Sequence, residues 1–248
     1  MRTVGRWAAG KERGSVKKFL KLLRNLLIIL FVAGLCTVGV LVFQGYQLYR
    51  DAVEKTPLEA RVAEVRSQAD YTAFSELPKT YRDAVVAVED HRFYEHGGVD
   101  PISIARAVWI DLCTMSFAEG GSTITQQVAK NLYFTQEKKL TRKIAEVFVA
   151  WDLEKLCEKD EILELYVNSI YFGNGCYTVK AASLSYFGKE PAAMTDYEST
   201  LLAGIPNAPS VYDLTENPDL AAQRQRQVVA MMVEHEYLNP QEAAAIFK

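Results

Sequence analysis

The apolar positions of this sequence follow two patterns, one near the N-terminus and another over the rest of the chain. No charged residue occurs between Asn25 and Tyr49, and Leu26 to Phe43 is an almost purely apolar run rich in Leu, Ile, Val and Phe. A run of this length is long enough for a helix to cross a bilayer. The pattern therefore predicts a transmembrane helix over residues 25–49.

From Leu77 onward, apolar residues recur mostly at the three- and four-residue spacing of helices that bury one face. Alternating patterns typical of strands are scarce, and the best candidate for a short hairpin is Ser169–Phe172. The sequence predicts a mainly α domain over residues 77–248. Its helices are expected within residues 81–88, 100–112, 137–156, 160–170, 195–204, 217–236 and 239–247.

The segment between these two regions, residues 50–76, is polar, is interrupted by Pro57 and shows no strong apolar stripe. We expect it to form a partly helical stalk or linker. The first 24 residues carry eight basic side chains and one acidic side chain. By the positive-inside rule this tail is cytoplasmic, and the chain after about Arg50 lies outside the membrane.

A cleavable signal peptide is the alternative to an anchor. The apolar run is longer than a signal peptide's core, and no clear Ala-x-Ala-like site follows before Arg50. The anchor is therefore the favoured interpretation.

Charge and cysteine content narrow the possible partners. The whole chain has a net charge of −3 although its N-terminal tail is strongly basic, so the outer domain is acidic and would repel nucleic acid. The four cysteines, at positions 36, 113, 157 and 176, lack metal-site spacing, and the chain has three histidines. We expect thiols or at most one disulfide in the outer domain, and no tightly bound cofactor.

The first polar motif is Glu89-Asp90-His91-Arg92-Phe93, which continues through His96 to Gly98. Glu89 and Asp90 are expected where a helix ends and a loop begins. Carboxylates are unfavourable near the negative end of a helix dipole, and this placement points to chemistry. By itself, a solvated acidic turn is the competing explanation.

The second motif runs from Gly120-Gly121 to Asn131. Ser122 or Thr123 can cap the helix that follows, and the free amide groups of a helix start favour anions. Further along this helix, Gln126, Gln127 and Lys130 are predicted to contact a ligand. An ordinary capped helix is the alternative.

The third motif concentrates four bases, at positions 138, 139, 142 and 143, before Glu146. Guanidinium and ammonium groups form charge-assisted bonds to phosphate oxygens, so this stripe can hold a diphosphate. A simple ion pair between Arg142 and Glu146 is the alternative. In the fourth motif, residues 161–175, scaffolding is the leading role, and Asn168 is the residue that packing explains least.

Taken together, the four motifs resemble the ordered signature of the peptidoglycan glycosyltransferases, glycosyltransferase family 51. The resemblance rests on Glu-Asp-x-x-Phe-x-x-His-x-Gly at 89–98, Gly-Gly-Ser-Thr-Ile-Thr-Gln-Gln at 120–127, Arg-Lys-x-x-Glu at 142–146 and Ile-Leu-Glu-x-Tyr-x-Asn at 162–168. It extends from about Pro78 to Met232. It implies a lysozyme-like domain with a larger lobe and a smaller membrane-proximal jaw.

The resemblance also implies an activity, the polymerisation of lipid II into β-1,4-linked glycan strands with release of undecaprenyl diphosphate. In that family's scheme Glu89 is the general base. Glu146 orients the acceptor or assists at the diphosphate, directly or through a divalent cation such as Mg²⁺ or Mn²⁺. The remaining predicted substrate or diphosphate contacts are Asp90, Arg92, Phe93, Ser122, Thr123, Gln126, Gln127, Lys130, Asn131, Arg142, Lys143 and Asn168, with Arg92, Lys130, Arg142 and Lys143 as the phosphate-binding set.

Three positions depart from the family pattern. Residues 111–119 lack the basic side chains that are common there and include Glu119. Thr178 replaces a common glycine, and Gln225 stands in place of a second arginine. Neither predicted catalytic glutamate is affected.

Two other functions compete with polymerisation. A lysozyme-like enzyme that cleaves glycan shares the architecture and a catalytic carboxylate. A catalytically silent membrane scaffold for wall synthesis belongs to a different class. The expected partners are lipid II, the growing strand, the bacterial cytoplasmic membrane and other cell-wall synthesis proteins. Since the chain ends sixteen residues after Met232, the sequence predicts a monofunctional enzyme without a transpeptidase domain.

Overall fold

The computed structural model describes residues 4–114, 121–135, 137 and 139–248, and of residues 4–18, 108 and 111–114 it describes the backbone alone. Within these ranges the chain forms helices and no strand, which confirms the predicted mainly α class. The α-helices are α1 (Val4–Lys55), α2 (Leu58–Arg66), α3 (Lys79–Glu89), α4 (Pro101–Thr114), α5 (Ile124–Tyr133), α6 (Leu140–Leu156), α7 (Lys159–Val167), α8 (Val179–Phe187), α9 (Asp196–Gly204), α10 (Pro218–Glu234) and α11 (Pro240–Ile246). Three short 3₁₀ turns lie at Phe74–Glu76, Pro191–Ala193 and Ile205–Asn207.

Helix α1 contains the predicted apolar run. Its part from Phe19 to Lys55 is long and apolar enough to cross a membrane, and the side chains of its most apolar stretch are exposed. No other helix in the described ranges meets this test. An exposed helix of this composition is consistent with a membrane anchor.

The outer end of α1 packs along α6, and the two helices run in the same direction. Gly45 of α1 lies against Ile144, and further along α1 the hydroxyl of Tyr49 donates a hydrogen bond of 2.5 Å to Asp152. Between these two levels the ring of Phe148 contacts Tyr49 at a centroid distance of 5.5 Å. The anchor helix is therefore joined directly to the globular domain.

The expected stalk, residues 50–76, is instead part of the globular domain. Leu58, Val62 and Val65 of α2 are buried in the main core. Their spacing is a helical stripe, but the stripe is only three residues long and lies among charged neighbours, so the sequence pattern did not reveal it. Asn168 further fixes this segment, because its side-chain amide bonds to both the backbone N–H and the carbonyl of Thr72.

One continuous core holds the outer domain together. Helix α3 packs on α9 and α10, while α5 packs on α6 and α7. Among the largest fully buried side chains are Tyr81, Phe93, Ile124, Leu153, Tyr166, Phe172, Leu202 and Met232. This arrangement brings the end of α3, the start of α5 and the middle of α6 together.

The hairpin that the sequence suggested at Ser169–Phe172 is absent. These residues lead into a compact turn in which Gly173, Asn174 and Gly175 all have positive φ. The turn is closed by a hydrogen bond of 2.8 Å from the Phe172 N–H to the Cys176 carbonyl. Three successive left-handed residues coil the chain too tightly for it to extend as a strand.

Side-chain caps are present at the start of two predicted helices and of one helix that was not predicted. Asp100 accepts the Ile102 N–H as the predicted cap of α4, and Asn239 caps α11. Helix α8 was not predicted, although Thr178 caps it, because its small residues obscure the apolar spacing. Three cysteines, at positions 36, 157 and 176, are free thiols, and the side chain of Cys113 lies outside the described residues.

Candidate active site

Glu89 and Glu146, which are far apart in sequence, line one cleft of about 370 Å³. Helices α3, α5 and α6 supply most of its walls, and the 3₁₀ turn after α9 supplies the rest. The lining residues are Val88, Glu89, Ser122, Gln126, Gln127, Lys130, Arg142, Lys143, Glu146, Pro206 and Asn207. The convergence of the two glutamates and the predicted cations on one cleft is the arrangement that phosphate-releasing chemistry requires.

Glu89 is the last residue of α3, where the helix ends at the cleft. It is half-buried, and one of its carboxylate oxygens accepts a hydrogen bond of 2.8 Å from the side-chain amide of Gln127. Burial raises the pKa of Glu89, while the Gln127 bond and the charges of Arg224 and Lys130 oppose that rise. A carboxylate with a raised pKa is a better proton acceptor than an ordinary one.

Glu146, in contrast, is buried and held in ion pairs. It projects from the middle of α6, and its carboxylate binds both Arg142 and Lys143, the latter at 3.0 Å. The ammonium group of Lys143 also donates a bond of 2.5 Å to the hydroxyl of Ser122. The anticipated ion pair of Arg142 with Glu146 therefore exists, and it lies inside the cleft.

Lys130 adds a third cation to the same wall. Burial lowers its pKa, and the nearby positive charges of Arg142 and Lys143 lower it further, whereas Glu146 and Glu89 raise it. A lysine whose pKa is lowered by neighbouring cations gains more than usual from a bound anion. With three cations facing one buried carboxylate, the cleft has excess positive charge.

Asp90, next to the predicted base, joins two helices. It is buried, one of its oxygens contacts His96 at 2.8 Å, and the other accepts the backbone N–H of Ile124 at 3.0 Å. Although burial alone would lower it, the pKa of His96 is raised by its bonds to Asp90 and to the Gly97 carbonyl. Asp90 thus ties the end of α3 to the start of α5, and its predicted contact with substrate stays a prediction.

Thr123 and Gln126 shape the start of α5. The hydroxyl of Thr123 accepts the Gln126 N–H, and the side chain of Gln126 accepts the Thr123 N–H, so the pair forms a capping box. The Thr123 hydroxyl also donates to the Gly98 carbonyl at 2.8 Å. Thr123 therefore has a structural role, while Gln126 lines the cleft as well.

Besides Asp90 and Thr123, four of the predicted contacts lie away from the cleft lining. Arg92 pairs with Glu95 at 3.3 Å, and Phe93 is fully buried in the core. Asn168 is fully buried and binds Thr72. Asn131 lies with Asn168 on a second pocket of about 220 Å³, which also includes Arg61 and Tyr177. Arg92, Phe93 and Asn168 therefore have structural partners within the fold, and their predicted contacts with substrate stay predictions.

Comparisons with known proteins agree with this geometry. A family model described as transglycosylase matches residues 56–233. The chain belongs to the transglycosylase family. These are the peptidoglycan glycosyltransferases, as the four motifs predicted, and the lysozyme-like class of the domain is consistent with the helical structure.

Similar curated transglycosylases are penicillin-binding proteins. Penicillin-binding protein 1F of Bacillus subtilis is 46% identical over 171 residues, which is 69% of this chain and 24% of that protein. Penicillin-binding protein 1A of Vibrio cholerae is 37% identical over 243 residues, covering 91% of this chain and 29% of the relative. The same protein of Aquifex aeolicus is 41% identical over 172 residues, 69% of this chain and 24% of its own length. The chain thus spans about a quarter of the length of these relatives.

Sequence reasoning missed several contributors to the transglycosylase site. Pro206 and Asn207 reach the cleft from the turn after α9, and Arg224 of α10 acts electrostatically on Glu89. A Pro-Asn pair between two helices is typical of an ordinary turn, so the sequence held no clear signal for the first two.

The structure explains two of the three departures from the family pattern, those at Thr178 and Gln225. Thr178 caps α8 and donates to Asp70, and Gln225 is buried, where it donates to Thr200. Both replacements are therefore satisfied within the fold. Glu119 and Lys138 lie outside the described residues.

A divalent cation in the transglycosylase cleft was expected as an option at Glu146. Within the described residues no group of three or more His, Cys, Asp or Glu side chains could hold a metal ion. Glu146 is already neutralised by Arg142 and Lys143, and hard divalent cations prefer several oxygen ligands. Because this donor set does not fit a resident metal, we derive no step through one.

Proposed function

We propose that this transglycosylase polymerises lipid II into β-1,4-linked glycan strands by inverting glycosyl transfer. The observation that carries the proposal is the pairing, in one cleft, of a half-buried carboxylate with raised pKa and a cluster of three cations. Glycosyl transfer from a lipid diphosphate needs these two elements, a base for the acceptor hydroxyl and positive charge for the departing diphosphate.

In the proposed reaction Glu89 is the general base. The 4-hydroxyl oxygen of the acceptor sugar attacks C1 of the donor sugar, and its proton moves to the Glu89 carboxylate. The bond between C1 and the diphosphate oxygen breaks, and its electron pair leaves with the undecaprenyl diphosphate. A single displacement of the α-linked diphosphate inverts C1 and gives the β bond.

Lys130, Arg142 and Lys143 receive the negative charge that develops on the leaving group. Their ammonium and guanidinium groups form charge-assisted bonds to phosphate oxygens. Ser122 and Glu146 hold Lys143 from two sides, so its ammonium is positioned before substrate arrives. Glu146 thus acts as a positioning residue for the diphosphate-binding cations, and orienting the acceptor is a second role proposed for it.

The surroundings of the protein follow from the same proposal. The N-terminal tail lies in the cytoplasm of a bacterium, α1 crosses the cytoplasmic membrane once and the domain acts on its outer face. The substrates are lipid II and the growing lipid-linked strand, and other cell-wall synthesis proteins are further partners.

The cleft favours polymerisation over glycan cleavage. Lysozyme-like hydrolases place two carboxyl groups on either side of the scissile bond. Here Glu146 is paired with two cations and Asp90, beside the cleft, is buried against His96, so of these three carboxylates Glu89 is the one available for proton transfer. Glycan hydrolysis releases no phosphate, so it does not require a cluster of cations.

The decisive experiment incubates the purified full chain in vesicles with radiolabelled lipid II and, separately, with finished peptidoglycan. We expect polymer from lipid II and no soluble fragments from peptidoglycan. Glu89→Gln should abolish polymer formation and keep the helical circular dichroism spectrum, while Glu95→Gln, an exposed matched control, should polymerise normally. Fragments released from peptidoglycan, or full activity of Glu89→Gln, would contradict the proposal, and no product from either substrate would favour a silent scaffold.

A further inference from the structure

The membrane helix and the catalytic helix approach each other at a glycine. A Cβ added at Gly45 of α1 would lie 2.6 Å from Cβ of Ile144 and 2.9 Å from the carbonyl oxygen of Thr141, both on α6. At Gly34 and Gly39 of the same helix, no atom lies within 4 Å of an added Cβ. Of these three glycines, Gly45 is the one whose missing side chain allows the two helices to pack closely.

This contact falls on the turn of α6 that lines the cleft. Ile144 lies two residues after Arg142 and two residues before Glu146. The contact at Ile144 therefore fixes the position of the diphosphate-binding side chains relative to α1. Gly45 has no atom in the cleft, so any effect it has on the reaction must pass through α6.

A second level of contact prevents α1 from pivoting on Gly45. One turn further along α1, the hydroxyl of Tyr49 bonds to Asp152 of α6 at 2.5 Å. The ring of Phe148 contacts Tyr46 at a centroid distance of 5.3 Å and Tyr49 at 5.5 Å. Because the two helices touch at successive levels, α1 is held against α6 in one register.

The length of α1 then fixes the height of the cleft above the membrane. Arg24 is the last charged residue before the apolar run, and Gly45 follows it 21 positions later in the same unbroken helix. At 1.5 Å per residue this distance is about 30 Å, the thickness of a bilayer's hydrocarbon core. With Arg24 at the inner boundary, Gly45 and the cleft cations lie at the outer boundary, where lipid phosphates are found.

We propose that Gly45 is a positioning residue that locks α1 to α6, so that the anchor acts as a spacer holding the cleft at the height of the lipid-linked diphosphate. This inference rests on the proposed function. The diphosphate of a membrane-embedded substrate is held at the surface by its lipid tail. The cations can reach it only if the spacer matches the bilayer, and a substrate without a long tail carries no such requirement.

The first test changes the length of the spacer and leaves the contact intact. The full chain, and a variant in which Ile28–Phe31 is duplicated, are placed in phosphatidylcholine and phosphatidylglycerol vesicles with acyl chains of about 14 to 22 carbons. Each vesicle contains lipid II, and the initial rate of polymerisation is measured against bilayer thickness. The four added residues lengthen the helix by about 6 Å, so the optimum should move to bilayers thicker by a similar amount. An optimum at unchanged thickness would overturn the inference.

The second test changes the contact and leaves the length intact. Gly45→Leu should slow polymerisation of membrane-embedded lipid II by at least about tenfold, because the larger side chain pushes α1 away from α6 and the cleft is then misplaced relative to the lipid-held diphosphate. Its rate on a water-soluble, short-chain analogue of lipid II should stay close to that of the unaltered chain. Gly39→Leu, the matched control in the same helix, should keep both rates. Equal losses of Gly45→Leu on both substrates would mean that the contact only supports the fold, and would also overturn the inference.

Failure of this inference can be told apart from failure of the proposed function. If the unaltered chain makes no polymer in vesicles of any thickness, polymerisation itself is wrong. If it polymerises equally well in all bilayers, the proposed function is supported and the spacer role is refuted.

Discussion

The side-chain amide of Gln127, on α5, donates a hydrogen bond of 2.8 Å to the carboxylate of Glu89, at the end of α3. Two opposing effects act on that carboxylate, because burial raises its pKa and the bond from Gln127 lowers it. A general base must be ionised to accept a proton. Gln127 therefore favours the charged form of Glu89 and offsets part of the rise in pKa that burial causes.

Gln127→Ala should move the acidic limb of the pH–rate profile to higher pH. Activity is present above the pKa of Glu89 and is lost as the pH falls through it, and removal of the bond raises that pKa further. A hydrogen bond to a charged group is worth about 1.5–3 kcal/mol, so a shift of about one pH unit or more is expected. The measurement is kcat/KM for lipid II between acidic and neutral pH.

The matched control for this variant is Gln241→Ala, which removes an exposed glutamine on α11, far from the cleft. Its profile should coincide with that of the unaltered chain. If Gln127→Ala lowered activity by the same factor at every pH, Gln127 would contact substrate without tuning the base.

Glu89→Gln should stabilise the fold at neutral pH while removing activity. Because the folded-state pKa of Glu89 is raised, the folded state gains stability from this group at low pH and loses it as the pH rises past the ordinary glutamate range. A neutral amide avoids that loss, and a gain of about 0.5–2 kcal/mol is expected near pH 7. Chemical denaturation of the full chain in detergent at neutral and acidic pH measures it, and the gain should disappear at acidic pH.

Glu95→Gln is the control for stability too, because the Glu95 side chain is largely exposed and borders no cleft. It should leave the free energy of unfolding nearly unchanged at both pH values. A loss of stability in Glu89→Gln at neutral pH would show that the surroundings of Glu89 favour its charged form, which is incompatible with a raised pKa.

Lys143→Gln should weaken binding of the diphosphate. The variant loses one charge-assisted bond to phosphate, and its neutral amide leaves Glu146 with Arg142 as its remaining cation. We expect KM for lipid II to rise about tenfold, equivalent to about 1.4 kcal/mol, and the salt dependence of binding to become weaker. Lys155→Gln removes an exposed lysine from the same helix and should change neither quantity. An unchanged KM in Lys143→Gln would remove this residue from the phosphate-binding set.

Two adjacent glycines provide a matched pair for stability. A Cβ at Gly98 would lie 2.8 Å from a backbone carbon of Ala150 on α6, whereas a Cβ at Gly97 would meet no atom within 4 Å. Gly98→Ala should therefore destabilise the domain by about 1–3 kcal/mol, the usual cost of overpacking, and Gly97→Ala should be nearly neutral. Thermal unfolding followed by circular dichroism compares them. If the two substitutions changed stability equally, α6 would be able to shift at Ala150 at little cost in free energy.

Clear apolar spacing decided which helices could be predicted, because α6 was predicted without a side-chain cap and α8 was missed although Thr178 caps it. The side chains of Asp100 and Asn239 cap helices by accepting hydrogen bonds from backbone N–H groups two or three residues further along the chain. Such short-range caps can be predicted from a short stretch of sequence. The burial of α2 could not be predicted from such short-range contacts. The segment that follows α2 is held by Asn168, which lies 96 positions away from its partner Thr72, and no local pattern reports such a distant contact.

For the cleft, helical spacing alone left an ordinary capped helix and a simple ion pair open on α5 and α6, and the motif residues there were found through the resemblance to the family. The structural role of Asp90 was not predicted. Its neighbour Glu89 faces the cleft, whereas Asp90 turns inward to the N–H of Ile124, and adjacent residues at a helix end can point in opposite directions. Sequence identifies which residue types are present there, but the backbone angles at the helix end decide which carboxylate is available.

The parallel course of α1 and α6 has a further consequence for the approach of substrate. It turns the N-terminal end of α6 toward the bilayer, and the first turn of this helix holds Arg142 and Lys143 and no acidic residue. The positive end of the helix dipole adds to these two charges. Although the whole chain is net negative, its membrane-facing end thus projects a positive potential over anionic headgroups. Lateral encounter with negatively charged lipids should accordingly be accelerated at low ionic strength and slowed as salt screens the field.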